Sequence, residues 1–327
     1  MTGRRWPTGF SYPQAAPTTW TVIVEYGVHL PLVDLGEGWS LAGLRTFARV
    51  AAELGYSHLC ANDHLTFSRP WLDGLTALTA VIEESADMTL ATSIALPVLR
   101  GPANLAKSLS AIDLLSGGRL VAGVGPGSSA ADYALAGVPF EERWQRFDEA
   151  VAVLRHLFRG RGAWSGTFYR SPHRPLQPLS SQPDRPPIWI ASWGSPAGLR
   201  RVARAADGWI ASAYNISPDR FAQCRTQLRE LDPGRSDPLP NALATAWFYA
   251  TEDTGEADRM LSEVLAPMVN RPIESMHHLP IGSVEACAQR LTAFGHAGVE
   301  RIFLWPLRDH VRQLELFRQR IAPLIAA

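Results

Sequence analysis

The chain has no excess of either charge: Lys+Arg and Asp+Glu both number 31 in its 327 residues. Without a basic surplus there is no field to steer it toward nucleic acid or anionic lipid, so neither is expected as a partner. Cysteine is scarce. Cys60, Cys224 and Cys287 lie far apart with no CxxC and no Cys/His ligand spacing, which excludes a disulfide framework and gives no sign of a metal site. A reducing cytoplasm fits that usage. No apolar run approaches the roughly 20 residues that a membrane span needs. Arg4-Arg5 is followed by Trp6, Pro7 and a Pro/Thr/Ser-rich stretch in place of an apolar segment, so no export signal is expected. Nucleotide fingerprints are missing too. No GxGxxG follows the first strand, and the glycine-rich loop lacks Gly-Lys-Ser/Thr, which leaves triphosphate hydrolysis without support.

What the chain does have is alternation. Short β-branched or apolar runs at 22–30, 57–61, 89–95, 119–123, 188–192, 208–211, 243–251 and 301–305 are separated by longer segments of helical period. The first helix shows the pattern plainly, with Ser40 as N-cap, Leu41, Leu44, Phe47, Ala48 and Ala51 on one face, and Gly55 as the stop. Eight such runs are the number that closes a parallel barrel whose interior side chains can just fill it, and an open doubly wound sheet seldom needs eight. The length suits one α/β barrel of roughly 250 residues with insertions. The fold expected is therefore a single (β/α)8 barrel over 22–327, preceded by an N-terminal extension over 1–21 that is either a loose lead-in or an arm packed on a neighbour. The proline-rich stretch 160–187 reads as a long connection with at most short extended pieces. Segment 266–282 reads either as a loop over the strand ends or as a mobile surface connection.

Residues at the carboxyl ends of barrel strands are where such folds display reacting groups. Asp63-His64 falls there after the second strand. An imidazole exchanges protons near neutral pH and a neighbouring carboxylate can orient a ring, although an Asp cap followed by a solvent-facing His explains the pair equally well. The third strand ends in the small residues Ser93 and Ala95 around Ile94, which allow a flat ligand to approach the backbone or serve the large/small alternation of a barrel interior. Gly123-Val124-Gly125-Pro126-Gly127-Ser128 is denser in glycine than a βα loop requires, so it is either a seat for a ligand's polar groups or a tight turn. Ser192-Trp193-Gly194-Ser195-Pro196 runs from a strand into a helix; its exposed amides suit a phosphate, and its alternative is an ordinary cap by Ser195. Trp193 could flank a ring, whereas most of the other ten tryptophans are better explained by burial.

These pieces occur in the order and spacing of the luciferase-like monooxygenase superfamily, and within it the chain resembles the branch that uses the deazaflavin coenzyme F420. The resemblance runs from Tyr26 to Trp305, and its most specific stretches are Asn62-Asp63-His64-Leu65 with Trp71-Leu72-Asp73, Thr92-Ser93-Ile94 through Arg100, and Leu115-Ser116-Gly117-Gly118-Arg119-Leu120 through Gly125. It implies a barrel with an insertion near strand seven and a flavin-like ring at the strand carboxyl ends. It places Asp63 and His64 against the deazaflavin, with His64 as the proton carrier, and implies a non-prolyl cis peptide at Ser93–Ile94 behind the ring. Phosphate and tail contacts would map onto Gly125, Gly127, Ser192, Trp193 and Gly194.

Departures from the family narrow the function. Relatives that oxidise sugar phosphates carry a glutamate where Ser128 stands and a lysine where Asn215 stands, so sugar-phosphate dehydrogenation is not expected. FMN-using members show Glu-His or a second histidine where Asn62-Asp63-His64 stands, which favours F420. The expectation is an F420-dependent oxidoreductase that moves a hydride between the deazaflavin C5 and a small organic substrate, as a homodimer. Its rivals are an FMN-dependent monooxygenase fed by a separate reductase and a barrel that binds a flavin without turning it over. Substrate choice rests on loops 62–73, 160–187 and 266–282.

Overall fold

A computed structural model describes residues 24–325 with the exception of residue 172, so the expected extension over 1–21 lies outside the described residues. Eight parallel strands close into a barrel. They are β1 (Glu25–His29), β2 (His58–Ala61), β3 (Thr89–Thr92), β4 (Leu120–Val124), β5 (Ile188–Ala191), β6 (Gly208–Ser212), β7 (Asn241–Ala244) and β8 (Arg301–Leu304). Sequential strands are neighbours, and β1 closes the ring by pairing with β8 through Glu25↔Arg301 and with β2 through Gly27↔His58. Between and after them run α1 (Leu41–Glu53), α2 (Gly74–Ala80), α3 (Pro102–Leu115), α4 (Arg143–Phe158), α5 (Pro196–Ala205), α6 (Pro218–Leu231), α7 (Val284–His296) and α8 (His310–Leu316). The expected (β/α)8 architecture is thus the observed one.

Serines set where several helices begin. The hydroxyls of Ser40, Ser195, Ser217 and Ser283 each accept a backbone amide of the first turn of α1, α5, α6 and α7. Gly55, with φ of 73°, ends the segment after α1, a conformation only glycine adopts without cost.

Side chains alternate between the barrel's interior and its helical coat. The interior cluster holds Cys60, Ala91, Trp189, Ile210, Ala242 and Phe303. Two large rings fit there because glycine faces them. A Cβ on Gly208 would lie 2.4 Å from the Trp189 ring, and one on Gly27 would lie 2.8 Å from Phe303. Bulk and void are matched residue by residue, so the lower barrel is a packed core and ligands are left to its carboxyl end.

Two connections depart from the simple repeat. Residues 160–187 form a hairpin of two short strands, Trp164–Ser165 and Arg170–Ser171, and then an irregular run tied down by Asp113 at the end of α3. That carboxylate is fully buried and accepts from the Ser180 hydroxyl at 2.6 Å, the Ser181 amide at 2.9 Å, the Gln182 side-chain amide at 2.7 Å and the Leu120 amide at 3.3 Å. Asp113→Ala strands several buried donors at once and should cost about 2–3 kcal/mol, read as a lower midpoint in urea unfolding with an unchanged slope.

The second departure is the seventh unit, where a single strand over 243–251 was expected. The chain instead breaks after β7, with Ala246 at φ 57°, and a separate piece, Tyr249–Ala250, pairs in parallel with Ile281–Gly282. Alternating apolar residues on both sides of the break hide it, because pattern alone does not register a reversal in φ. The intervening stretch folds as an ordered cap. Met268 and Met276 are buried in one cluster with Trp247, Leu265, Leu279 and Trp305, and the Ser68 hydroxyl donates to the Met268 carbonyl at 2.5 Å. Segment 266–282 therefore sits over the strand ends and is held there by its methionines.

Candidate active site

The candidate site is spread over the ends of four strands, β2 to β5. After β2 the chain turns through Asn62, Asp63 and His64, pressed so closely on α2 that a Cβ on Gly74 would lie 2.1 Å from the Asn62 carbonyl. The Asp63 carboxylate is buried and takes a two-pronged bond from Arg100, at 2.6 and 2.8 Å, plus the Leu96 amide at 3.2 Å. Arg100 also pairs with Asp73, the N-cap of α2. Asp73 is partly buried, which alone would raise its pKa, but Arg100 and the Thr76 amide hold it below the ordinary carboxylate value. Both Asp63 oxygens are thus committed to binding the β2 and β3 loops together.

His64 points elsewhere. Its Nδ1 lies 3.0 Å from Oδ2 of Asp132, a carboxylate only 1% exposed, whose other oxygen accepts the Thr66 amide at 2.8 Å. Asp132 stands on the short helix Ala130–Leu135 after β4, and Ser129 caps that helix by accepting the Asp132 amide. The His64 ring meets Trp71 edge-on at 4.7 Å and Phe67 at 5.1 Å, while its side chain keeps 24% of its surface exposed.

At the end of β3 the Ser93–Ile94 peptide is cis. Pairing continues past it, since the Ala95 amide donates to the Gly123 carbonyl and the Gly125 amide to the Ala95 carbonyl. The Ile94 side chain lies over Gly125, where a Cβ would come within 2.2 Å of its Cδ1. Gly127 has φ of 79°, the left-handed value that makes glycine the fitting residue in this loop. Two buried polar atoms at these strand ends, Asn62 Oδ1 and Ser93 Oγ, have no hydrogen-bond partner among the described residues. Trp71 Nε1, in the wall beside His64, is likewise buried without a partner, so polar atoms at this end of the barrel are left open to hydrogen bonding.

Beneath the Ser93 carbonyl lies His29, the last residue of β1. Its Nε2 is 3.2 Å from that oxygen and its Nδ1 is 3.4 Å from the Leu304 carbonyl. Burial pushes its pKa down to about 4, so the ring is neutral at pH 7 and can donate to only one of these two carbonyls at a time. His29 stacks on Trp305 at 4.8 Å, Trp305 stacks on Trp247 at 4.5 Å, and Trp71 meets Trp305 edge-on. An aromatic wall so joins the ends of β1, β7 and β8 to the His64 loop.

The β5 loop contributes differently. The Ser192 hydroxyl accepts the Gly194 amide at 3.2 Å, the Ser195 hydroxyl caps α5, and Arg220 donates to the Gly194 carbonyl at 2.6 Å. Trp193 is 53% exposed. Among the described residues no three metal-ligating side chains converge, and no helix is long and apolar enough to cross a membrane.

The residues singled out in the sequence therefore all lie at or just beyond the carboxyl ends of β2 to β5. His29 and Asp132 went unnoticed. Strand alternation marks His29 as the inward residue two places after Gly27, a signal that was present, whereas Asp132 meets His64 across 68 residues and no local pattern announces it.

The model of the luciferase-like monooxygenase family matches residues 27–301. An F420-dependent glucose-6-phosphate dehydrogenase of Intrasporangium calvum is 29% identical over 177 residues, 50% of this chain, and the chain spans about half (51%) of that relative's length. In fold, a monooxygenase from Streptomyces bottropensis superposes with a TM-score of 0.79 at 22% identity, covering 92% of this chain and 99% of that one. An F420-dependent secondary alcohol dehydrogenase captured with an F420-acetone adduct superposes with a TM-score of 0.76 at 16% identity over 92% of this chain and 99% of its own.

Proposed function

The chain belongs to the luciferase-like monooxygenase family, and from that premise we propose that it is an F420-dependent oxidoreductase acting on a small organic substrate. One observation carries this reading: an imidazole braced by a buried carboxylate stands at the end of β2, at the same barrel mouth as two buried polar atoms without partners.

Those two atoms fit the group. The pyrimidine edge of a deazaflavin carries both N–H and C=O functions, which suit an acceptor such as Asn62 Oδ1 and a hydroxyl such as Ser93 Oγ. Asn62, Ser93, Ile94 and Gly125 would hold the ring, and the β4 and β5 loops, with Gly127, Ser192 and Gly194, would hold its phosphate tail. Bound there, the deazaflavin supplies hydride chemistry at its C5 carbon. The protein's part is to seat the ring, shield it and move a proton. Phe67 and Trp71 cover part of the His64 ring, and His64 takes the proton from the substrate's reacting group or returns it.

The sugar phosphate named for the Intrasporangium relative is not carried over. Ser128 and Asn215 stand where sugar-phosphate oxidisers of the family have an acid and a base, and the Asn215 side chain donates to the Ser212 hydroxyl at 3.2 Å. Titration of the purified protein, followed by tryptophan quenching and cofactor fluorescence, should show F420 binding at least about tenfold tighter than FMN, a difference of about 1.4 kcal/mol. Quenching by FMN alone would transfer the reading to an FMN monooxygenase, and indifference to both would leave a barrel without redox function.

A further inference from the structure

We propose that Asp132 is the positioning residue that fixes which nitrogen of His64 faces the reacting groups. The inference rests on the oxidoreductase reading for its purpose, but its geometry stands alone. A carboxylate accepts hydrogen bonds and offers none, so with Asp132 Oδ2 at 3.0 Å the hydrogen on His64 Nδ1 points at Asp132. The other oxygen is held by the Thr66 amide at 2.8 Å, so Asp132 grips residues 64 and 66 of one loop at once and cannot swing without releasing both. Its burial, at 1% exposure, keeps water from competing for either bond.

The consequence is chemical. With Nδ1 committed, Nε2 is left as the exchanging atom, bearing a lone pair when the ring is neutral and a proton when it is charged. Trp71 and Phe67 pack on the ring and fix its plane, which leaves Asp132 to fix the tautomer. Asp132→Asn is the informative change because it preserves shape. Its side-chain oxygen can keep the Thr66 amide, and its NH2 then faces His64 Nδ1 as a donor, which moves the ring's hydrogen to Nε2 and inverts the tautomer.

The test is long-range 1H–15N NMR at pH 8 on full-length protein labelled at histidine nitrogen, with the His64 signals identified by their loss in His64→Gln. The native protein and Asp132→Glu should show His64 protonated at Nδ1, and Asp132→Asn should show it at Nε2. An Nε2–H ring in the native protein, or identical nitrogen shifts in native and Asp132→Asn, would overturn the assignment. A residue of purely structural importance would lower the unfolding temperature and leave those shifts in place. With F420-linked turnover, Asp132→Asn should lose at least about tenfold in kcat, about 1.4 kcal/mol, with F420 affinity unchanged and partial recovery in Asp132→Glu; an unchanged kcat also overturns it. Absence of any F420-linked turnover in the native protein would count against the oxidoreductase reading alone, since the NMR result does not depend on cofactor.

Discussion

In His64→Ala protein, F420-linked turnover should fall by about 10²- to 10⁴-fold, the usual worth of a positioned acid or base, while the Kd for F420 changes by less than about threefold. The separation of the two effects is the point. His64 meets Asp132, Phe67 and Trp71, and the groups assigned to seat the ring are Asn62, Ser93, Ile94 and Gly125, so removing the imidazole should leave the seat intact. The fold should survive as well, because the side chain is partly exposed and Asp132 keeps its bond from Thr66. One buried carboxylate oxygen is left without a partner, a cost of about 1–3 kcal/mol against the stability of the whole barrel. Stopped-flow fluorescence of the cofactor measures the chemical step and equilibrium quenching measures the affinity. Turnover that persists at the native rate would remove His64 from the mechanism, and a loss of affinity equal to the loss of rate would make it a binding residue.

How far the sequence led to this site can be judged from particular residues. The barrel was legible because its signal is repeated: eight apolar runs, each followed by helical period, with serine caps at Ser40 and Ser195 that the structure also shows. Asp63 and His64 were legible as a pair at a strand end, but not their divergence, in which one carboxylate locks Arg100 and the imidazole turns to another acid. That divergence depends on where the helix after β4 comes to rest, a tertiary fact. The break within 243–251 was hidden for a local reason, since Ala246 takes a left-handed φ that its residue type does not advertise. The cap over 266–282 was ambiguous because its apolar content, Met268 and Met276 among it, has no period; only the Trp247 and Trp305 rings beneath it explain why it folds down.

Lowering the pH from 7 to 5 should cost the folded protein about 4 kcal/mol through two interior histidines, His29 and His58. Burial is the first cause of the depression for both; Arg301 adds to it at His58, and each is pushed down to about 4 from an ordinary value near 6.5. The direction follows from which state holds the proton more tightly. In the unfolded chain these rings protonate near pH 6.5, whereas in the barrel they resist until about pH 4, so their contribution is complete above pH 6.5 and is lost as the pH falls through that window. At pH 5 the difference amounts to about 2 kcal/mol for each ring. His310, also depressed chiefly by burial, acts in the same sense. The carboxylates held below their ordinary value, Asp73, Asp184 and Asp207 beside arginines and Glu149 and Glu256 by hydrogen bonds, add their main losses only as the pH falls through about 4.5 and below, so the step from pH 7 to 5 belongs chiefly to the imidazoles. Urea unfolding at pH 7 and pH 5 measures the difference directly. His58 packs on Phe303 inside the barrel and bonds to Ser57, away from the strand ends that carry the chemistry, so His58→Gln should shrink the pH-dependent loss by about 2 kcal/mol and leave the site untouched. A pH profile of stability that is flat from 7 to 5, or one that His58→Gln does not flatten, would mean that these rings take up their protons inside the barrel as readily as outside it, and the neutral His29 assigned beneath the Ser93 carbonyl would go with them.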